Sequence, residues 1–116
     1  MPELTVYEKP TCTTCRNLAT LLTERGIDFD RVNYHVEPLP EEKLRELVAK
    51  GGVPAREWVR RKELGPLGLD PLDDASDDEV IALMAEHPQL LERPVVERGD
   101  RAVLARPVER VEELLD

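Results

Sequence analysis

Apolar and polar positions change their spacing several times along this chain, and each change marks an element. Leu4 and Val6, with Thr5 and Tyr7 between and after them, predict a first strand over roughly residues 3–7, ended by Pro10. A helix is predicted from Thr11. Within it Cys15, Leu18, Ala19 and Leu22 fall at i, i+3, i+4 and i+7 and make one buried stripe, and Gly26 stops it as a C-terminal cap residue. Ile27, Phe29, Val32 and Tyr34 predict a second strand, whose alternation slips at Asp30-Arg31 as it does at a bulge. Pro38-Leu39-Pro40 breaks the chain. Glu41 and Glu42 then open a helix that carries Leu44, Leu47 and Val48 and closes at Gly51-Gly52. Pro54 starts a further short helix through Trp58 to about Leu64. A turn-rich stretch (Gly65-Pro66, Gly68, Asp70-Pro71) leads to Ser76-Asp77-Asp78-Glu79, a capping-box signature. The helix it opens points Val80, Leu83 and Met84 inward and ends at His87-Pro88. Pro94-Val95-Val96, the turn Arg98-Gly99-Asp100 and Ala102-Val103-Leu104 read as a hairpin. A last helix begins at Pro107, with Val108, Val111, Leu114 and Leu115 apolar.

The predicted order is β-α-β, three helices, then β-β-α. These are the parts of an α/β, thioredoxin-like fold: a mixed four-stranded sheet with a helical insertion, about residues 38–90, between its two halves. The chain has 116 residues, no internal repeat and no low-complexity linker, so a single domain over 1–116 is expected.

Composition narrows the picture. A net charge of −9 disfavours nucleic acid as a partner. No apolar run approaches the length of a membrane span, and the first residues lack a signal-peptide pattern, so a cytoplasmic protein is expected. In that compartment two nearby cysteines point to catalysis or metal binding before a structural disulfide. Arginines outnumber lysines 12 to 4, and a guanidinium is a planar fork of donors suited to oxyanions.

Both cysteines, Cys12 and Cys15, sit at the predicted strand-to-helix junction in a Cys-x-x-Cys. A thiol at the start of a helix meets unsatisfied N–H groups and the positive end of the dipole. Its pKa falls from about 8.5 to between roughly 3.5 and 7.5 in such places. Cys12 is therefore the expected nucleophile. Cys15, one turn inward above the apolar stripe, is the candidate resolving thiol. Zinc would need two further ligands, and only His35 and His87 are left, far apart. The acidic run from Asp70 to Glu79 lacks the spacing of a calcium loop and reads as a solvated loop followed by a capped helix. Arg93 and Arg106 each precede a proline at the same end of the hairpin, with side chains able to converge, and Arg93–Pro94 is a candidate cis peptide. Arg60 is expected on the inserted helix with Arg56 one turn before it on the same face. A cationic pocket of this kind would hold an oxyanion and keep the Cys12 thiol ionised.

These residues carry a resemblance. Tyr7, Pro10, Cys12, Arg16-Asn17, Val59-Arg60-Arg61-Lys62, Glu86-His87-Pro88, Arg93-Pro94 and Arg106-Pro107 together resemble the glutaredoxin-coupled arsenate reductases (ArsC/Spx-like) of the thioredoxin-like superfamily, over about residues 4–115. The resemblance implies thiol-dependent reduction of arsenate to arsenite. Cys12 would be the nucleophile, Arg60, Arg93 and Arg106 would hold the oxyanion, and glutathione with glutaredoxin, or thioredoxin, would be the reductant. It implies no bound cofactor and no metal, and a monomer is expected. Two positions depart from the pattern. Cys15 stands where glutathione-dependent members commonly have serine, which opens the way to an internal disulfide. Glu8 stands where a histidine can lower the thiol pKa; an acid there is expected to raise it unless Lys9 or the arginines offset it. Two alternatives stay open. One is an Spx-type redox-switched regulator that binds RNA polymerase, although the basic tail of those proteins is missing after Asp116. The other is a family oxidoreductase with a different substrate.

Overall fold

The computed structural model describes residues 4–9, 11–69, 72 and 74–115. Pro10 as a strand end, the Asp70-Pro71 turn, Asp73 of the acidic run and the first three residues lie outside the described residues.

Four strands form one sheet in the order β2-β1-β3-β4: β1 (Leu4–Glu8), β2 (Phe29–Asn33), β3 (Val95–Arg98) and β4 (Arg101–Leu104). β2 runs parallel to β1, while β3 is antiparallel to both β1 and β4. The β1–β2 register is unbroken from Leu4↔Phe29 to Glu8↔Asn33. The slip at Asp30-Arg31 is therefore no bulge. β2 is an edge strand with both residues exposed, and an edge with little covering it has little need of strict alternation. Tyr34, expected as the last residue of the strand, is instead buried in the turn that follows it.

The two faces of the sheet are covered by different elements. Leu4, Val6, Val96 and Val103 pack with Leu18 and Leu22 of α1 (Thr13–Glu24) and with Val111 and Leu114 near the C-terminus. Tyr7, Val95 and Ala102 face the other way, onto Leu44, Leu47 and Val48 of α2 (Glu41–Gly51) and Val80, Ile81 and Met84 of α3 (Asp77–Glu86). Period-two alternation along β1, β3 and β4 thus feeds two cores from one sheet. α1 closes as the sequence predicts. Gly26 has φ of 69°, its N–H donates to Thr23 O, and the Ile27 N–H donates to Leu22 O, the Schellman pair of bonds. At α3 the Ser76 hydroxyl accepts from the Glu79 N–H at 3.2 Å, as the capping box requires.

Two expected helices are not α-helical. Residues 54–64 form a 3₁₀ turn at Ala55–Trp58 and another at Arg61–Glu63, separated by a β-bridge of Val59 to Leu91. Tertiary pairing takes the backbone groups a helix would need: the Arg60 N–H donates to Leu90 O at 2.7 Å, and Trp58 O accepts from the Glu92 N–H at 2.8 Å. The closing helix is 3₁₀ over Val108–Leu114. Its apolar Val108, Val111 and Leu114 recur every third residue, the period of a 3₁₀ helix. No helix among the described residues is long and apolar enough to cross a membrane.

Candidate active site

Cys12 sits just beyond β1 as the residue that caps α1, with φ −80° and ψ 126°. The helix starts two residues later than the expected Thr11 because Cys12 is still extended. A turn closed by the Cys12 N–H to Lys9 O bond (2.9 Å) brings the chain round into the helix. The Thr14 and Cys15 N–H groups face the Cys12 sulfur. Cys15, fully buried, lies over Leu18 in the stripe that packs on the sheet.

The two thiols are driven apart. Burial pushes the Cys12 thiol up, but the Cys15 N–H and thiol, the Arg93 guanidinium and the Thr14 N–H outweigh it, and its pKa falls to about 7. Burial pushes the Cys15 thiol up to about 12, against the Lys9 backbone, and the neighbouring Cys12 sulfur and Glu8 carboxylate add to the rise. Both thiols are free. The acid at position 8 does not hold the Cys12 pKa up. Glu8 is buried, and the Arg31 guanidinium takes both of its oxygens, Nε–Oε1 at 2.8 Å and Nη2–Oε2 at 2.9 Å. The charge of Glu8 is thus paired by this β2 arginine, and Arg93 is the arginine that lowers the Cys12 pKa.

Arg93 precedes β3 and joins Pro94 through a cis peptide, as expected; Arg106–Pro107, after β4, is cis as well. β3 runs antiparallel to β1, so its start lies beside the end of β1 and places Arg93 next to Cys12. Arg93 is buried, yet its hydrogen bonds to Tyr34 and Cys12 more than offset the burial and hold it charged more firmly than a free guanidinium. Tyr34 is itself anchored by donating to Leu91 O at 2.6 Å. The end of β4 lies at the same edge, and Arg106 Nη1 donates to Arg93 O at 3.1 Å.

Arg60 arrives by a different route from the one expected. It lies on no helix and shares no helical face with Arg56. The antiparallel Val59–Leu91 bridge sets Arg60 across from Leu90 and Glu92 across from Trp58, and from there Arg60 Nη1 reaches Glu92 Oε1 at 2.8 Å. Arg106 Nη1 stands 4.0 Å from the same oxygen. Glu92 thus links two of the three predicted arginines, and the third is its chain neighbour. Sequence reasoning passed over Glu92, Tyr34 and Arg31. The only signal for Glu92 was its place before Arg93-Pro94, and the partners of the other two come from remote segments. Among the described residues no three His, Cys, Asp or Glu side chains are grouped to hold a metal ion.

The site is a low-pKa thiol at a helix start, backed by a buried second thiol and met by the Arg93 guanidinium, while the Arg60 and Arg106 guanidinium groups gather on Glu92, the residue before Arg93. Proteins of known name share this chain's sequence and architecture. Residues 7–114 match the ArsC family. An arsenate reductase of Neisseria meningitidis serogroup A is 36% identical, over 99% of this chain and 100% of its own. One from Escherichia coli is 34% identical, over 99% of this chain and 82% of its own. The solved structure of an arsenate reductase from Vibrio cholerae superimposes with a TM-score of 0.83 at 35% identity, covering 97% of each chain. Nearly full-length identity with such relatives, on a shared thioredoxin-like sheet, makes this chain a member of the ArsC family.

Proposed function

We propose that this protein reduces arsenate to arsenite with thiol electrons, with Cys12 as nucleophile, Arg60, Arg93 and Arg106 as the oxyanion pocket and Cys15 as the resolving thiol. The observation that carries this reading is the meeting of Arg93 with the Cys12 sulfur while Arg60 and Arg106 gather on Glu92 beside it. The names of the Neisseria and Vibrio relatives support arsenate as the substrate.

The chemistry follows from the groups present. The Cys12 sulfur attacks arsenic and an arsenate oxygen leaves as water, giving a thioester of arsenic(V). Guanidinium groups neutralise the oxyanion and let an anionic sulfur approach it. Cys15 then attacks the Cys12 sulfur. An S–S bond forms, the S–As bond breaks, its electron pair stays on arsenic as arsenic(III), and the Cys15 proton leaves with arsenite. A dithiol protein of the thioredoxin or glutaredoxin class returns the Cys12–Cys15 disulfide to two thiols. In the resting state the high Cys15 pKa keeps its proton in place, so only Cys12 is armed at neutral pH.

The test is arsenate turnover with thioredoxin and its reductase, or with glutathione and glutaredoxin. Turnover with at least one system, lost in Cys12→Ser, is expected. Absence of turnover with both would overturn the reading. Cys15→Ser should lose thioredoxin-supported turnover; full activity in that variant would assign the resolving step to glutathione.

A further inference from the structure

Glu92 is a carboxylate placed inside a pocket for anions. Its Oε1 accepts from Arg60 Nη1 at 2.8 Å, lies 4.0 Å from Arg106 Nη1 and 3.4 Å from the Arg93 N–H. One oxygen therefore meets the guanidinium groups of Arg60 and Arg106 and the backbone N–H of Arg93. The side chain is 18% exposed, and its backbone is tied to Trp58 O. The buried Nε atoms of Arg60 and Arg93 lack a hydrogen-bond partner, although Arg60 Nε stands 3.8 Å from Glu63 Oε2. Buried donors are ordinarily satisfied, so this seat has donors in surplus for a ligand.

An ionised carboxylate only accepts hydrogen bonds. A tetrahedral oxyanion entering between the arginines must either offer Glu92 a proton or lie against a like charge. Arsenate and phosphate carry at least one O–H at neutral pH, whereas sulfate carries none. We propose that Glu92 is a specificity-determining residue that accepts a hydrogen bond from the protonated oxygen of the bound oxyanion while the arginines hold its bare oxygens. The pocket then admits hydrogen-bearing tetrahedral oxyanions and turns away those without a proton. The proposal rests on the reading of Arg60, Arg93 and Arg106 as an oxyanion pocket.

Calorimetric titration of arsenate and of sulfate into the full chain carrying Cys12→Ser, where no reaction follows, tests it. Arsenate is expected to bind more tightly than sulfate by about tenfold or more, the scale of one hydrogen bond to a charged group. Adding Glu92→Gln, which keeps an acceptor for Arg60 but supplies an amide donor and no charge, should collapse that ratio, mostly by tighter sulfate binding. Glu92→Asp should retain it. An unchanged ratio in Glu92→Gln, equal weakening of both anions, or no preference in the Cys12→Ser protein itself would each overturn the proposal. The last of these needs no change at Glu92, so a misfolded Glu92 variant does not shield the idea. Failure of both anions to bind would instead remove the pocket reading on which it rests.

Discussion

Cys12 and Cys15 are the same residue type three positions apart, and their surroundings drive them in opposite directions. Cys12 should alkylate with iodoacetamide at a rate that is half-maximal near pH 7, with Cys15 protected until far more alkaline conditions. Arg93→Gln removes a guanidinium from the Cys12 sulfur and should move that midpoint up toward the ordinary thiol value of about 8.5. A pH–rate profile by mass spectrometry of the alkylated peptides checks both, and an unmoved midpoint would mean that the helix N–H groups and the Cys15 thiol lower it without Arg93. At this scale much was legible in the sequence. Cys12 was readable from its junction, and Arg93 and Arg106 from the hairpin that sets them at one end. Arg31 and Glu92 were not readable, because each acts by pairing with a residue tens of positions away, and no local pattern records such a pairing.

Elements were legible where local geometry decides them. Gly26 ended α1 and Ser76 opened α3 as read, since caps depend on a few adjacent residues. The segment 54–64 was misread because its backbone is claimed by 90–92. Its position also depends on Gly51, at the end of α2. A Cβ there would stand 2.5 Å from Trp58 Cζ2, so the indole lies where only glycine leaves room. Gly51→Ala should displace Trp58 and, through the Trp58–Glu92 backbone bond, loosen the seat of Arg60. The expected cost is about 1–3 kcal/mol in stability, the scale of overpacking, with a higher KM for the oxyanion. Thermal melts and steady-state kinetics read the two effects, and an unchanged KM beside a lowered Tm would separate the indole from the site.

For the molecule as a whole, the sheet is clamped to α2 by a polar cluster amid the apolar layers. Tyr7 donates to Glu97 Oε1 at 2.7 Å, Lys43 contacts both Glu97 oxygens at 3.0 and 3.1 Å, and Lys50 pairs with the same carboxylate. Burial works against the charge on Glu97, but the two lysines and the Tyr7 hydroxyl outweigh it and hold its carboxyl below the usual range. A lowered carboxylate pKa adds stability that is present above the unfolded value and is lost as pH falls through the folded one. Glu97→Gln should therefore cost about 1–3 kcal/mol near neutrality and flatten the acid limb of the stability curve. Urea midpoints between pH 3 and 7 measure this, and a parallel shift at every pH would refute it. The α/β class, the four-strand sheet and the inserted segment were all readable in advance, because alternation and turn residues report them. This clamp was not, since Tyr7, Lys43 and Glu97 meet only once the layers stack.

The sheet also fixes an order in time. β1 pairs with β2, which follows it closely in the chain, but Leu4 finds its other partner at Arg98. A growing chain presents Cys12 early and Arg93 and Arg106 late. Until β3 closes on β1, the cysteine lacks the guanidinium that lowers its pKa, and long-range pairing of this kind is slow to form. Before the last strands dock, only the local contributions of the Cys15 and Thr14 N–H groups and the Cys15 thiol can lower the Cys12 pKa, and the Arg93 contribution arrives last.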